Sequence, residues 1–326
     1  MRAAICRSYG APEVVQVEDI PSPSLGAGQL RVRVAAAAVN FPDVLVIANE
    51  YQAKAPVPFV PGSELAGVVI EVADDVDGFA VGDRVFGTTF VGAFAEEAVL
   101  PAASVTRTPA GVEDAHAAGF GVAPRTAYHV LRSIAHLATG EELIVLGAGG
   151  GVGSAAVQVG AVLGATVTAV ADSPEKLEVA KSYGASRLID TTQGDLREAL
   201  RNALPDGADA VIDLVGGELS EPALRTLRYG GRFVTVGYAS GEIPRIPLNL
   251  VLLKGVQILG FQFRDFAEHA PEELRRNEQD LLDLMAEGRV LPHIGATFDL
   301  SDAAAALRYV ADGRAIGKVV LDIATT

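Results

Sequence analysis

The chain has few of the residues that form disulfides and metal centres. Only one of its 326 residues, Cys6, is a cysteine, and five are histidines. A single cysteine excludes an internal disulfide and a cysteine-based zinc site. The histidines are scattered without the spacing of a metal site, so ordinary surface or helix positions account for them. The sequence therefore predicts no bound metal.

Basic residues and long apolar runs are also scarce. Lys and Arg number 26 against 41 Asp and Glu, which gives a formal net charge of −15. Nucleic acids and anionic membrane surfaces need a basic surface, so neither is expected as a partner. No apolar run approaches the ~20 residues that span a bilayer, and no apolar signal core follows Met1. We expect a cytoplasmic protein.

One stretch, residues 142–176, has the pattern of a dinucleotide-binding unit. The apolar run 143–146 is typical of a strand buried in a parallel sheet, and Gly147 ends it. A glycine-rich turn, a helix over 152–163 and a second apolar strand over 166–170 follow. Glycines let the backbone approach a ligand, and a helix N-terminus favours an anion such as a pyrophosphate. The predicted cofactor contacts in this turn are Gly150, Gly151, Val152 and Gly153.

The glycine spacing departs from the common form of this fingerprint. A GxGxxG pattern counted from Gly147 would end on a glycine at residue 152, where the chain has Val152. Gly147, Gly150 and Gly153 instead form a GxxGxxG pattern with one more residue in the turn. Such a turn can also serve only to pack a helix closely on a strand. The flanking strands favour the nucleotide-binding interpretation.

The remaining sequence indicates two domains. The first hundred residues are short β-prone runs with one helix over 40–48, and a helical stretch runs from 114 to 134. After residue 176 strands and helices alternate, until a strand over 256–263 closes the sheet. A helix over 271–287 and the pieces beyond it are expected to return to the first domain.

The domain boundaries follow from this change of pattern. We predict a catalytic domain over 1–122 with a return segment over 265–326, and a dinucleotide-binding domain over 123–264. A cleft between the two domains is expected to hold the ligands.

Several motifs identify a family. They are Asn40-Phe41-Pro42-Asp43, Pro61-Gly62-Ser63-Glu64-Leu65-Ala66-Gly67, Val81-Gly82-Asp83-Arg84-Val85, Thr126-Ala127-Tyr128, residues 147–153, Ser173-Pro174-Glu175-Lys176, Ile246-Pro247-Leu248-Asn249 and Gly317-Lys318-Val319-Val320. In this order the chain resembles the medium-chain dehydrogenase/reductase superfamily, and within it the zinc-free NADPH:quinone oxidoreductases of the zeta-crystallin type. The resemblance covers nearly the whole length.

The resemblance implies both a fold and an activity. The fold class is α/β, with a Rossmann doubly wound parallel sheet and a GroES-like, mainly β catalytic domain. The implied activity is NADPH-dependent transfer of hydride to quinones or α,β-unsaturated carbonyls. The family also implies a homodimer joined along the sheet edge near residues 256–263.

Two positions argue against the catalytic zinc of related alcohol dehydrogenases. Those enzymes have a cysteine and a histidine where this sequence has Asn40 and Ser63, and neither of these is a competent zinc ligand. Without a Lewis acid the oxyanion of a simple carbonyl lacks its charge partner, whereas a conjugated acceptor spreads the charge. The expected substrate is therefore a small-molecule quinone or enone, and the nicotinamide carries the hydride chemistry.

Several polar residues are candidates for the catalytic site. Tyr51 lies eleven residues after Asn40, the spacing at which related enoyl thioester reductases have a tyrosine proton or hydrogen-bond donor. It can equally be a loop tyrosine packed on the protein. Asn40 and Asp43 suit a helix N-terminus, and the resemblance adds a contact with the nicotinamide ribose or amide. Thr126 resembles a threonine that contacts the nicotinamide in the family. Alternatively, its side chain hydrogen-bonds to a preceding carbonyl of its own helix.

The residues after the second strand indicate whether the chain prefers NADPH or NADH. NAD-specific enzymes place an acid at the end of this strand, and counting back from Gly184 puts that position on Ala171. Asp172 is the next residue, and a shift of one position would make it the acid of an NAD-specific enzyme, which weakens this argument. Ser173 is predicted as the N-cap of the next helix, which places Lys176 in the first turn, where a cation is disfavoured. A 2′-phosphate would reverse that penalty, so Ser173 and Lys176 are the predicted phosphate pair.

Further cofactor contacts rest on the resemblance alone. They are Val215, Gly237 and Tyr238 after sheet strands, Phe261 and Phe263 in the last strand, and Lys318 in the Gly-Lys-Val-Val ending. The aromatic pair can equally be core or dimer interface. Two other functions stay open: an enoyl thioester reductase acting on acyl-CoA or carrier-bound substrates, and a non-catalytic nucleotide-binding protein.

Overall fold

The computed structural model describes residues 1–323, which form two compact units. One unit contains Met1–Val122 and the chain from Pro292 onward, and the other contains Ala123–Leu291. The strands are β1 (Arg2–Cys6), β2 (Val15–Asp19), β3 (Gln29–Val39), β4 (Glu64–Val72), β5 (Arg84–Thr88), β6 (Glu97–Pro101), β7 (Val105–Arg107), β8 (Glu142–Leu146), β9 (Thr166–Ala171), β10 (Ala185–Asp190), β11 (Ala208–Asp213), β12 (Leu227–Thr235), β13 (Gln257–Gly260), β14 (Ile294–Asp299) and β15 (Lys318–Asp322).

The helices occur in both units. They are α1 (Phe41–Ile47), α2 (Asp114–Ala118), α3 (Ala123–His129), α4 (Gly151–Val162), α5 (Pro174–Ser182), α6 (Leu196–Ala203), α7 (Ser220–Thr226), α8 (Asn249–Lys254), α9 (Phe263–His269), α10 (Pro271–Ala286) and α11 (Ala303–Ala311). No helix within residues 1–323 is long and apolar enough to cross a membrane.

The first unit is built on a mainly antiparallel sheet. Its strand order is β14-β15-β3-β4-β5-β7, with β6 also paired to β3, and β1 and β2 form a separate antiparallel pair. The long strand β3 has β15 on one side and β4 on the other. Residues from distant parts of the chain therefore become neighbours across β3. This arrangement agrees with the predicted GroES-like β domain.

The second unit is a Rossmann fold. Its six strands are parallel, in the order β10-β9-β8-β11-β12-β13. The chain order reverses between β8 and β11, and ligands of such sheets bind beyond the carboxyl ends of the strands at this switch point. Both strands are largely buried and end in loops at this point. The predicted doubly wound sheet is confirmed.

The return to the first unit begins later than the sequence analysis placed it. Residues 265–291 belong to the second unit, not to the return segment. The reason is the packing of α10 on α3: Arg125 donates to Glu278 at 2.7 Å, and Asn277 donates to Ser133, in the turn after α3, at 2.8 Å. The segment that joins the first unit therefore starts at Pro292.

Two helical boundaries also differ from the prediction. The stretch 114–134 is not one helix, because α2 ends at Ala118 and α3 starts at Ala123. A π-helical turn over Val130–Ile134 follows α3. Gly121 lies in this break, where an added Cβ would come within 2.6 Å of Thr88.

Phe261 and Phe263 do not lie in the last strand. Strand β13 ends at Gly260, opposite the last residue of β12. The chain then turns into α9, whose first residue is Phe263 and whose N-cap is Gln262. The side-chain oxygen of Gln262 accepts a hydrogen bond from the Asp265 N–H at 2.7 Å, so the helix is capped where the strand was expected to continue.

Candidate active site

The glycine turn after β8 has the close packing that the fingerprint requires. A Cβ at Gly153 would lie 2.0 Å from the Gly147 carbonyl oxygen, so only glycine lets the first turn of α4 approach the end of β8. Gly147 has a φ of +77°, and an added Cβ would lie 2.8 Å from Val215 in the loop after β11. Gly147 and Gly153 are therefore needed for packing within the protein.

Gly150 is different, because packing does not explain it. It precedes α4 as the N-cap with a φ of −80°, and an added Cβ would meet only the Gly147 carbonyl oxygen, at 3.7 Å. A side chain there would fill the space in front of the first free N–H groups of the helix. Gly237, after β12, is similarly open, with only the Leu214 carbonyl oxygen at 3.6 Å. Both residues fit a pyridine dinucleotide lying along these strand ends.

Lys176 lies across the glycine turn. An added Cβ at Gly149 would lie 2.4 Å from the Lys176 Cβ, so the lysine stem occupies the space in front of that glycine. The ammonium contacts the Asp172 carboxylate at 2.8 Å, and the Ser173 Oγ accepts a hydrogen bond from the Lys176 N–H at 3.3 Å. Ser173 is thus the N-cap of α5, as predicted. The carboxylate of Asp172 supplies the anion that the lysine needs at this helix end.

The loop after β11 is shaped by Asp213. This buried carboxylate accepts hydrogen bonds from the N–H groups of Val215 at 2.9 Å and Gly216 at 2.8 Å, and from the Ser220 hydroxyl at 2.5 Å. Val215 is thereby held beside Gly147. Tyr238, after β12, is 38% exposed. The sequence analysis did not identify Asp213. An acidic residue at the end of an otherwise apolar stretch was the feature that pointed to it.

Phe261 and Phe263 belong to an aromatic cluster of the second unit. Their ring centroids are 6.1 Å apart, and His129 lies 5.6 Å from Phe263. The Arg125 guanidinium stacks over Phe263 at 4.7 Å. Both rings are half-buried, and a place in the core and a place in a dimer interface both stay predictions for this pair. Thr126, on α3 in the same unit, is half-buried.

A second polar centre lies in the first unit, around Lys318. Its ammonium lies 2.6 Å from the Asn40 Oδ1, 2.7 Å from the Glu64 carboxylate and 3.2 Å from the Val39 carbonyl oxygen. The lysine side chain is 3% exposed and that of Glu64 is fully buried. An ammonium has three hydrogens, so this one is fully used within the unit. The predicted contact between Lys318 and the cofactor stays a prediction, and the three N–H groups of this ammonium have partners within the unit.

Both the oxygen and the nitrogen of the Asn40 side-chain amide are hydrogen-bonded. Besides accepting from Lys318, it donates through Nδ2 to Glu64 at 2.9 Å and to the Ser63 Oγ at 3.2 Å. Glu64 also accepts from the Val122 N–H at 2.8 Å. Asn40 occupies the N-cap position of α1, as predicted, but these contacts fix the direction of its side chain. A buried, fully paired amide of this kind has one orientation.

Asp43 completes this centre. Its carboxylate accepts a hydrogen bond from the Asn40 N–H at 2.8 Å, and the nearby Ser63 side chain also favours its ionised form. Burial raises the pKa of Asp43 to about 7, although the hydrogen bonds and the nearby Lys318 ammonium oppose the rise. The structure thus brings Asn40, Asp43 and Lys318 together with Ser63 and Glu64. A carboxyl group with this pKa exchanges a proton near neutral pH.

Tyr51 lies apart from that network. It follows α1, is half-buried and packs against the hydrophobic core of the first unit. Its N–H donates to the Leu45 carbonyl at 3.1 Å, and its hydroxyl has no hydrogen bond within the described residues. The packing fits the structural reading of this tyrosine, and the unbonded hydroxyl is compatible with a ligand contact.

Two protein families match this chain, one in each of its two units. Residues 26–110 match the alcohol dehydrogenase GroES-like domain, and residues 151–286 match the zinc-binding dehydrogenase family. A quinone oxidoreductase-like protein 2 homolog of Nematostella vectensis is 34% identical over 98% of this chain and 88% of its own. An acryloyl-coenzyme A reductase of Sulfurisphaera tokodaii is 27% identical over 96% of this chain and 97% of its own.

A solved structure extends the likeness. The Escherichia coli quinone oxidoreductase complexed with NADPH superposes with a TM-score of 0.91 and 25% identity, covering 99% of this chain and 100% of that one. The fold and the two polar centres thus define a medium-chain dehydrogenase/reductase, an oxidoreductase that acts on a small molecule with a pyridine nucleotide. Within that superfamily, the chain belongs to the quinone oxidoreductase family.

Proposed function

We propose that this protein is an NADPH-dependent reductase that transfers hydride to quinones or α,β-unsaturated carbonyls without zinc. The observation that carries the proposal is the Lys318 ammonium, which contacts the Asn40 Oδ1 and the Glu64 carboxylate. Asn40 stands at one of the two zinc-ligand positions of related alcohol dehydrogenases, and the ammonium already occupies its side-chain oxygen. The internal lysine therefore takes the place that a metal would require, and Asn40 and Ser63 are poor zinc ligands.

The choice of NADPH rests on Lys176. Its stem lies against the glycine turn, and its ammonium lies near the first turn of α5 beside the exposed Asp172. A 2′-phosphate is a stronger acceptor for the ammonium than a carboxylate that also faces water. Ser173 and Lys176 would hold this phosphate, while the turn over 150–153 would hold the pyrophosphate. Reduced nicotinamide supplies the hydride when it is bound.

We further propose a homodimer joined at the free edge of the Rossmann sheet. Strand β13 pairs only with β12 among the described residues, and the adjacent helix α8 exposes Leu252 by 81% and Leu253 by 75%. An open strand edge beside exposed leucines is a surface that a second copy can cover. Leu252→Glu combined with Leu253→Glu is expected to give a monomer in analytical ultracentrifugation. Ile243→Glu is the control, because Ile243 is also highly exposed, at 73%, but lies in a loop outside α8. This variant should remain a dimer.

A second candidate function is reduction of enoyl thioesters. It is favoured by the likeness to an acryloyl-coenzyme A reductase and by the unbonded hydroxyl of Tyr51. Tyr51→Phe should abolish activity on crotonyl-CoA if the tyrosine donates a proton, and should leave quinone reduction unchanged. Equal retention of both activities would assign Tyr51 to packing.

One assay tests the proposal as a whole. NADPH oxidation is followed with an ortho-quinone, a para-quinone, a simple enone and crotonyl-CoA, and the same sample is analysed for metals. Turnover of a quinone or the enone by a zinc-free sample is the expected result. Activity on crotonyl-CoA alone would promote the second function. Stoichiometric zinc, or no turnover of any acceptor, would overturn the proposal.

A further inference from the structure

We propose that a cavity in the second unit binds a small phosphorylated molecule through its phosphate group, at a site separate from the predicted nucleotide site. The cavity has a volume of about 440 Å³ and is lined by the end of the π-helical turn and by helix α10. Its lining consists of Arg132, His136, Leu137, Ala138, Glu273 and Arg276. Two guanidinium groups and an imidazole thus share the cavity with a single carboxylate, in a chain whose net charge is −15.

The two arginines of the cavity have donors to spare. Within residues 1–323, the Arg132 guanidinium has no hydrogen bond or ion pair. Arg276 contacts Glu273 at 3.9 Å, which is longer than a hydrogen bond. By contrast, the guanidinium of Arg232 in β12 donates to the Glu141 carboxylate at 2.9 Å and 2.6 Å. The N–H groups of Arg132 and Arg276 can therefore donate to a ligand that supplies acceptor oxygens.

A buried hydrogen bond places the two guanidinium groups at one cavity. Arg132 precedes Ser133 on the π-helical turn, and Arg276 precedes Asn277 on α10. The Asn277 Nδ2 donates to the Ser133 Oγ at 2.8 Å, and both side chains are buried. This bond fixes the two elements against each other, so little ordering remains when a ligand binds. Two positive groups in one cavity repel each other, and an anion between them removes that repulsion.

His136 has a backbone conformation that is usually occupied by glycine. Its φ of +47° lies in the left-handed region, which side chains with a Cβ disfavour. It follows Ala135, the C-cap of the turn, and the Leu137 N–H donates to the Leu131 carbonyl at 2.9 Å. This reversal of the chain explains the φ but not the choice of histidine over glycine. The exposed imidazole lines the cavity, where it adds a donor for an anion.

The chemistry of the lining selects a phosphate group. Guanidinium groups bind phosphates through paired N–H donors. Donors that come from two separate elements suit a tetrahedral dianion, because its oxygens point in different directions, whereas those of a carboxylate lie in one plane. The volume falls in the range of small-molecule pockets, roughly 300–1,000 Å³, and leaves room for an organic part. Leu137 and Ala138 can pack against that part, and the Glu273 carboxylate can accept from a hydroxyl group on it.

The cavity and the glycine turn lie at opposite ends of the Rossmann sheet. His136 follows Ala135, whose carbonyl accepts from the Arg232 Nε at 2.9 Å. Arg232 pairs with Gln257, the first residue of β13, so this contact marks the amino ends of the parallel strands. The glycine turn follows the carboxyl end of β8, a five-residue strand that spans roughly 16 Å. A ligand in the cavity therefore occupies a second site.

The first test is isothermal titration calorimetry with inorganic phosphate at constant ionic strength. The wild type is expected to bind phosphate, and Arg132→Gln and Arg276→Gln should each weaken this binding about tenfold. Arg275→Gln is the matched control, because Arg275 is exposed on the same helix but does not line the cavity. It should bind as the wild type does. Circular dichroism confirms that each variant is folded.

The nucleotide site is a second place where phosphate can bind, so it needs its own variant. Lys176→Ala removes the predicted phosphate contact there and should leave binding at the cavity intact. Phosphate binding that is lost in Lys176→Ala but unchanged in Arg132→Gln and Arg276→Gln would overturn the inference. No binding of millimolar phosphate by the wild type would overturn it as well. None of these measurements depends on reductase activity, so the outcome is separate from that of the proposed function.

The second test uses His136→Gly to separate ligand binding from the ending of the helical turn. Glycine adopts the left-handed conformation without strain, so the melting temperature of this variant should stay the same or rise. Its phosphate affinity should nevertheless fall several-fold, because a donor is lost. Unchanged affinity in this variant would overturn the contact assigned to the imidazole.

Discussion

The Lys318 ammonium lies 2.7 Å from the Glu64 carboxylate, and neither side chain is more than 3% exposed. These residues belong to β15 and β4, which never pair with each other but both pair with β3. Ala38 of β3 is opposite Glu64 on one side and Val320 on the other. The register of one central strand thus places the lysine beside the carboxylate.

Removing one member of this pair should be costly. Lys318→Met leaves Glu64 buried without its counter-charge, and such losses cost about 3–5 kcal/mol of unfolding free energy. Urea denaturation of the variant measures the loss. Adding Glu64→Gln should restore part of it, because the uncompensated charge is gone. Arg308→Met, which breaks an exposed pair with Glu13, is the control and should change stability little. Equal effects at the two sites would contradict the assigned role of the buried pair.

The glycine turn allows a paired prediction that separates packing from ligand binding. Gly153→Ala should lower the melting temperature sharply, because its Cβ would overlap the Gly147 carbonyl oxygen at 2.0 Å. Gly150→Ala should leave the melting temperature nearly unchanged, because its Cβ meets only one atom, at 3.7 Å. NADPH binding, measured by fluorescence titration, should nevertheless be lost in Gly150→Ala. Retained binding there would place the nucleotide elsewhere.

Cofactor preference should depend on Lys176 and Asp172 in opposite ways. Lys176→Ala should weaken NADPH binding about tenfold or more and NADH binding far less, since only NADPH has the phosphate. Asp172→Asn should tighten NADPH binding, because the ammonium loses its competing carboxylate at 2.8 Å. Lys181→Ala on the same helix, at a lysine 60% exposed, is the control. Equal effects of Lys176→Ala on both nucleotides would exclude a phosphate contact.

The pKa of Asp43 predicts how stability changes with pH. A carboxyl whose folded-state pKa is raised from 3.8 to about 7 binds more protons when folded, so it favours folding at low pH. Its contribution is complete below 3.8 and declines as the pH rises toward 7, by about 1.4 kcal/mol per pH unit. The free energy of unfolding of the wild type should therefore fall relative to that of Asp43→Asn as the pH rises across this range. Urea denaturation of both proteins at several pH values measures this difference. A difference independent of pH would contradict the raised pKa.

The sequence was sufficient for features with a local cause. The parallel sheet, the glycine turn and the Ser173 cap follow from apolar runs, glycine spacing and capping preferences over a few residues. The Rossmann and GroES-like folds, which the family resemblance implied, were confirmed as well. The ion pair of Lys318 and Glu64 was missed because it depends on the register of β3 with two strands from opposite ends of the chain.

Other errors arose where tertiary contacts override local pattern. Phe263 continues an apolar run, but β13 stops where its only described partner strand stops. The helix α10 was expected to belong to the return segment, yet Asn277 and Glu278 bond it to the second unit. The roles of Tyr51 and Thr126 stay predictions, since their neighbours in the fold explain their packing and not their chemistry.

The discontinuity of the first unit has a consequence for biosynthesis. Lys318 is separated from Asn40 by 278 positions, and the whole Rossmann unit is synthesised between them. A chain emerging from the ribosome can complete the Rossmann sheet before β15 exists. The buried carboxylate of Glu64 meanwhile has no ammonium to neutralise it, so β3 and β4 cannot close over it without cost. The nascent protein should thus gain a nucleotide-binding fold early and complete the buried polar centre around Lys318 only after the whole Rossmann unit has been synthesised.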